Sequence, residues 1–144
     1  MRTIVFFNHE NAPLEDLAKI HTSSFLDSWD QDTFDAFLTS FGTAGLYLAE
    51  NDHIVGFILY RQAFSDAEIL TFCVLPDLQN KGVGGGLIEA MLLKLTKPGK
   101  CFLEVSDKNE SAVYLYKKFG FEIVHTRQNY YGEGLDAYMM MKEV

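Results

Sequence analysis

The sequence holds little that could cross-link it, ligate a metal or span a bilayer. Only 2 of 144 residues are cysteine, and Cys73 and Cys101 are neither spaced as a metal pair nor numerous enough for a secreted disulfide framework. Each stands in an apolar run and reads as a small core hydrophobe, which points to a reducing, cytoplasmic setting. His9, His21, His53 and His125 show no ligand spacing, so no metal is expected. The longest apolar stretches, such as Ile54–Tyr60, fall below half of the roughly 20 residues a membrane helix needs, and no membrane partner is expected. Met1–Glu10 has neither the apolar length nor the small-residue cleavage site of a secretory signal. Basic residues are scarce too: 12 Lys and Arg stand against 20 Asp and Glu, a net charge of −8. The deficit lies wholly in residues 1–70, where Arg2, Lys19 and Arg61 face 11 acidic side chains, while residues 71–144 carry 9 of each sign. With no basic stripe in either half, nucleic acid is not an expected partner. The acidic half would steer a cationic substrate, or serve only as a solvated surface.

Apolar residues are plentiful. They make up 48% of the chain against 22% charged, which excludes disorder, and the length suits a single domain over residues 1–144. The pattern alternates strands with helices. An edge strand at 3–8 leads to a helix over 11–22 with Leu14, Leu17, Ala18 and Ile20 inward. A second helix, capped by Asp30, is predicted over 32–41, with Phe34, Phe37, Leu38 and Phe41 at helical spacing. Strands at 45–50 and 54–61 form a hairpin about Asn51-Asp52, and a strand at 68–75 stops at Pro76-Asp77. A helix at 84–95, a strand at 101–106, a helix at 109–119 capped by Asn109 and a strand at 121–127 follow. A loop through 130–134 precedes the last strand, 136–142. Such an order predicts a mixed α/β protein of three layers, α/β/α.

The most specific local signal is Gln79-Asn80-Lys81-Gly82-Val83-Gly84-Gly85-Gly86, between a strand and a helix. Each glycine in a helix costs about 1 kcal/mol relative to alanine, so three in one first turn need a reason. Bare N–H groups at a helix start bind phosphate oxygens, and Lys81 adds a cation. A flexible strand-to-helix turn is the plain alternative. The spacing matches neither a dinucleotide fingerprint nor a nucleoside triphosphate loop.

Gln79–Gly84 resembles the Gln/Arg-x-x-Gly-x-Gly/Ala loop of the GNAT acetyltransferases, which holds the pyrophosphate of acetyl-CoA. The likeness continues through Leu103-Glu104-Val105, Asn109, Leu115–Phe121, Asn129-Tyr130-Tyr131 and Asp136-Ala137-Tyr138. Ser28-Trp29-Asp30 and Thr33-Phe34 carry it weakly into the first half, without the proline that usually precedes the tryptophan. Within the family this set is similar to the protein N-terminal acetyltransferases typified by the ribosomal-protein-alanine enzymes.

The resemblance implies a GNAT fold whose mixed central sheet splays at the acetyl-CoA site, between the strands at 68–75 and 101–106. Phe72, Cys73 and Val74 would then offer backbone groups to the pantetheine. Gln79, Asn80, Lys81, Gly82, Val83, Gly84, Gly85, Asn109 and Tyr116 would complete the cofactor contacts. Direct attack of an amine on the thioester needs no nucleophilic cysteine. Glu104 shares a strand face with Phe102 and Ser106, opposite Cys101, Leu103 and Val105. A carboxylate in an apolar strand is paired, hydrated or functional; the resemblance makes it the base, with burial expected to tune it. Asn109, Ala112 and Tyr116 share a helix face, so the resemblance makes Tyr116 the candidate acid, a core aromatic on an amphipathic helix being the plain alternative, while Tyr114 lies about 200° round the helix. Trp29, Asn129, Tyr130 and Tyr131 would contact the acceptor, a protein or peptide N-terminus and possibly a basic one. A small-molecule amine, a lysine side chain, or a CoA-binding module without turnover are the other readings.

Overall fold

A computed structural model describes residues 1–144. Seven strands form one sheet, β1 (Arg2–Phe7), β2 (Thr43–Glu50), β3 (His53–Ala63), β4 (Asp66–Val74), β5 (Lys100–Ser106), β6 (Glu122–Gly132) and β7 (Leu135–Glu143), in the order β1-β2-β3-β4-β5-β7-β6. Only β4 and β5 run parallel; the other neighbours are antiparallel. Helices α1 (Leu14–Ser24) and α2 (Gln31–Leu38) cover one face, and α3 (Val83–Lys94) and α4 (Glu110–Lys118) the other. The three-layer expectation therefore holds. No helix is long and apolar enough to cross a membrane.

Local chemistry explains most boundaries. Asn51 and Asp52 both adopt positive φ, 52° and 68°, as the tight hairpin between β2 and β3 requires. The Asp30 carboxylate accepts from the Thr33 N–H at 2.8 Å and starts α2. That helix ends at Leu38 and not at Phe41: Gly42 at φ 79° turns the chain, and Phe41 is left 84% exposed. α1 begins at Leu14 rather than residue 11, because Pro13 occupies its N-cap and Asn8 and Asn11 close a turn before it.

The two cores differ in character. Under α3 and α4, Leu87, Ile88 and Met91 pack on Cys101, Leu103, Val105 and Met140. Under α1 and α2 the core is aromatic: Phe34 meets Phe57 at 5.6 Å and Trp29 at 5.3 Å, and Trp29 stacks on Phe37 at 4.6 Å. His21 is buried in this second core, and burial pushes its pKa down to about 4. Between the ordinary histidine value near 6.5 and this lowered one, the unfolded chain binds a proton that the native chain refuses. Stability must fall as pH drops through that window, by about 3 kcal/mol once pH 4 is reached. Urea midpoints measured at pH 7 and pH 4.5 should show this loss, and His21→Phe should lose distinctly less.

One irregularity shapes the site. Leu59 pairs with Thr71 but Tyr60 with Ile69, so Leu70 is an extra residue in β4, a β-bulge. Beyond it the alternation changes phase. Phe72 and Val74 face α3 and α4, whereas Cys73 faces α1 and α2.

Candidate active site

β4 and β5 pair only at Asp66–Lys100, Ala67–Cys101 and Glu68–Phe102. Past Glu68, β4 follows β3 and β5 follows β7, and the two parallel strands part as expected. A cleft of about 760 Å³ opens there, lined by Phe72, Cys73 and Val74, by Gln79, Asn80, Gly82, Gly84 and Gly85, and by Asn109 and Ala112. The sequence did not single out Ser23, Ser24 and Phe25 at the end of α1, or Lys108, Ser111 and Lys118, which also line it.

The glycine turn is built as an anion cradle. Gly82 takes φ 86° at the N-cap of α3, and no side chain caps the helix, so its first N–H groups are left for a ligand. Asn80 is also left-handed, at φ 62°, and the Gln79 side-chain amide donates to the Val74 carbonyl at 3.3 Å, tying the loop to β4. The glycines do different jobs. A Cβ at Gly84 would lie 2.9 Å from Leu115 and 3.0 Å from Phe72, so that position is small for packing. At Gly85 the nearest atoms, of Phe119, are 3.7 Å away. Asn109 caps α4 by accepting from the Ala112 N–H at 3.3 Å.

Three expected contacts do not line the cleft. Val83 is fully buried beneath α3, in the core. Lys81 is exposed and outside the lining, where Lys108 and Lys118 are the cations instead. Tyr116 lies behind the cleft wall, 4% exposed, with its ring 5.9 Å from Phe72 and 5.7 Å from Phe121. Burial, followed by the nearby Cys73 and Cys101, raises its pKa above the ordinary tyrosine range. Those thiols belong to β4 and β5, the two strands that part. Tyr114 is 71% exposed and lines the cleft mouth. Cys73 itself is buried, its thiol pushed up to about 12 mainly by desolvation, which leaves it a poor nucleophile.

Glu104 points from β5 away from the Cys101–Leu103–Val105 face, as its alternation requires. It lines a second hollow of about 340 Å³ with Phe102, Met139 and the Arg61–Glu68 ion pair. Its side chain is 29% exposed, so burial does not tune it, and it is paired with Arg127 at 3.4 Å. The core under α1 and α2 includes no residue of β5, and the carboxylate on that face is open to water.

Asn129, Tyr130 and Tyr131 do not form a loop. They extend β6 to Gly132 through a register shift, with Asn129 at φ 54°. The Asn129 N–H donates to Asp136 at 2.9 Å and its side-chain oxygen accepts from the Gly134 N–H at 2.8 Å. Asn129 thus spends its polar groups on the hairpin, which aims the two tyrosines. Arg127 lies over the Tyr130 ring at 5.2 Å, and Tyr130 meets Tyr131 edge-on at 5.1 Å. Burial first, then Glu104, raises the Tyr131 pKa, so both tyrosines border the Glu104 side of the splay. Trp29 does not reach the cleft; it stacks on His21 and Phe37 at the rim of the aromatic core. On this side of the splay the sequence also missed Arg127, whose place two residues before Asn129 gave no sign of it.

Comparison with known proteins fits this geometry. Residues 14–121 match the model of the Acetyltransferase (GNAT) family. A [ribosomal protein bS18]-alanine N-acetyltransferase of Haemophilus influenzae is 36% identical over 88 residues, 60% of each chain. The chain therefore spans about three fifths of the length of that curated relative. The Salmonella typhimurium protein of the same description is 31% identical over 72% of this chain and 70% of its own. In three dimensions the crystal structure of the ribosomal-protein-S18-alanine N-acetyltransferase from Escherichia coli superposes with a TM-score of 0.89, covering 100% of this chain and 94% of that one at 24% identity. The parted parallel strands, the uncapped glycine turn and the matched sequence lead to one conclusion: the chain belongs to the acetyltransferase (GNAT) family.

Proposed function

We propose that this protein is an acetyl-CoA-dependent N-acetyltransferase whose acceptor is the N-terminal α-amino group of a protein, with residues 1–144 serving as one catalytic domain. The observation that carries this reading is the opening between β4 and β5, which ends on an uncapped, glycine-built helix start. Its residues suit the donor: free N–H groups for the pyrophosphate, Lys108 and Lys118 at the mouth, and strand groups of Phe72–Val74 for the pantetheine amides. Bound there, acetyl-CoA supplies the thioester carbonyl that an amine attacks. The kinship with ribosomal-protein-alanine N-acetyltransferases supports a protein N-terminus as acceptor.

The chain's own groups then divide the proton work. Glu104, open to water and set beside Tyr131, takes the proton of the incoming amine directly or through one water. Arg127 holds that carboxylate in place until the acceptor arrives. A backbone N–H of β4 freed by the splay donates to the carbonyl oxygen as charge develops on it. Tyr116, whose hydroxyl burial keeps protonated, reaches the departing sulfur only if the Phe72 side of the wall that covers it gives way as acetyl-CoA binds. Tyr130 and Tyr131 hold the backbone of the acceptor's first residues against the sheet edge.

Two measurements test this reading. Mass spectrometry of peptides incubated with acetyl-CoA should find one acetyl group on the α-amine; no transfer to any free N-terminus would overturn it. Gly85→Asp should raise the acetyl-CoA dissociation constant about tenfold or more, since its carboxylate takes the anion's place. The fold should be unharmed, because the site has room and an acid at a helix N-terminus stabilises it. Calorimetry showing unchanged affinity would reduce the glycine turn to a connection.

A further inference from the structure

Phe25 is an aromatic ring on the cleft wall that neither the glycine turn nor the proton chemistry uses. It lines the opening with Ser23 and Ser24 from the end of α1, and it is 41% exposed. An open side chain at a helix end is ordinarily free to swing; this one is held twice. Its N–H donates to the His21 carbonyl at 3.0 Å, and its ring stacks on the His21 ring at 4.4 Å and 28°.

His21 is fixed in its turn. It is 3% exposed, and burying an imidazole is costly unless both nitrogens find partners. Nδ1 accepts from the Trp29 N–H at 3.0 Å, which leaves the proton on Nε2, and Nε2–H donates to Thr71 Oγ1 at 3.1 Å. The stacking continues behind it, from His21 to Trp29 at 5.0 Å and 21°, then from Trp29 to Phe37 at 4.6 Å and 16°. Four near-parallel rings thus run from α2 to the cleft, and Phe25 is the one at the opening. The Thr71 bond sets this run beside β4, whose next residues, Phe72, Cys73 and Val74, line the same cleft. The glycine turn and the two lysines provide for phosphates elsewhere along it. A flat apolar ring facing freed strand backbone provides for something else: a chain of methylene groups and amides.

We propose that Phe25 is a donor-binding residue that packs against the pantetheine arm of acetyl-CoA, and that His21 is the positioning residue that holds its ring there. The proposal rests on the acetyltransferase reading above. It makes the end of α1 a further wall of the donor site, opposite the strand groups of Phe72–Val74, and it gives neither Phe25 nor His21 a proton to move.

Phe25→Ala should raise the acetyl-CoA dissociation constant about tenfold, the scale of one lost aromatic contact, whereas Phe25→Tyr, which keeps the ring, should stay within about twofold of the wild type. The nucleotide end of coenzyme A without its arm, phosphoadenosine diphosphate, does not reach the ring. Its dissociation constant, measured by competition, should therefore be the same in Phe25→Ala as in the wild type. His21→Leu keeps the core apolar but removes the stacking surface and both hydrogen bonds, so it should reproduce part of the loss. Added to Phe25→Ala it should weaken binding no further, as for two members of one contact. The KM for an acceptor peptide, measured at saturating acetyl-CoA, should not move in Phe25→Ala.

Wild-type acetyl-CoA affinity in Phe25→Ala overturns the proposal. An equal weakening of phosphoadenosine diphosphate also overturns it, because that marks a general collapse of the cleft. So does a raised acceptor KM with unchanged donor affinity, which would move Phe25 to the acceptor's side. If the wild type binds no acetyl-CoA, the acetyltransferase reading falls and takes this one with it; if the wild type binds and Phe25→Ala binds equally well, this proposal alone is lost. The half-open place of Phe25 at a helix end lets its alanine variant fold. Should His21→Leu not fold, Phe25→Ala and Phe25→Tyr decide the role of the ring.

Discussion

Tyr116→Phe should turn over about 10²–10⁴-fold more slowly than the wild type, the usual contribution of a positioned acid or base, with acetyl-CoA affinity held within a few-fold. The packing argument makes this a clean substitution. The Tyr116 ring rests against Phe72 and Phe121, and phenylalanine keeps both contacts. What is lost is one hydroxyl, placed near Cys73 and Cys101 at the parting of β4 and β5. Because burial raises its pKa beyond the ordinary tyrosine range, Tyr116 should not ionise as pH rises through 10. The alkaline limb of kcat, if one is seen, must come from another group. Glu104→Gln should lower kcat on the same scale by a different route, since the amide cannot take the amine's proton. Arg127 then loses its partner at a largely hydrated surface, a change that costs little stability. Wild-type turnover in a folded Tyr116→Phe would remove the acid from the mechanism, and in Glu104→Gln would remove the base.

Much of this site was legible because short-range chemistry dictated it. The alternation of Cys101–Ser106 placed Glu104 on the face away from the core, and the glycines after Gln79 announced an uncapped helix start. Asn51-Asp52 and Asp30 fixed a hairpin and a helix origin by side-chain geometry alone. The features that escaped notice depend on partners far along the chain. Leu70 becomes a bulge only because β3 pairs on both sides of it, and no local pattern separates it from an ordinary strand leucine. Tyr130 and Tyr131 looked like a polar loop, yet Asp136 and Gly134 fold that stretch into β6 by bonding Asn129. Glu104 read as paired, hydrated or functional, and the sequence could not name its partner, because that depends on where β5 meets β7 and where Arg127 lands. Phe41 had the right helical spacing but lies past Leu38, the last helical residue, in the turn that Gly42 completes at positive φ.

Peptides with a free N-terminus should be acetylated at least about 100-fold faster than the same peptides blocked at the N-terminus and carrying a lysine. An α-amine has a pKa of about 8 and a lysine side chain one of roughly 10.4. At pH 7 about a tenth of α-amines are already neutral, against fewer than about one lysine in a thousand. Glu104 is a carboxylate in contact with water, and it needs only to finish deprotonating an α-amine, whereas a lysine would ask it to remove a far more tightly held proton. Geometry works in the same direction. Tyr130 and Tyr131 stand at the Glu104 edge, where they can hold peptide backbone that follows an N-terminus. Acceptor charge adds a smaller preference. Asp66, Glu68 and Glu104 line the hollow beside the splay against Arg61 within it and Arg127 beside Glu104, which leaves one negative charge over, so basic residues after the N-terminus should raise kcat/KM modestly at low salt. That gain should fade toward physiological ionic strength, where the screening length is about 8 Å. Initial rates on matched free and blocked peptides, at two salt concentrations, decide the question. Faster reaction of the blocked lysine peptides, or of a polyamine than of any peptide, would reassign the acceptor to a side-chain or small-molecule amine while leaving the donor cleft as described.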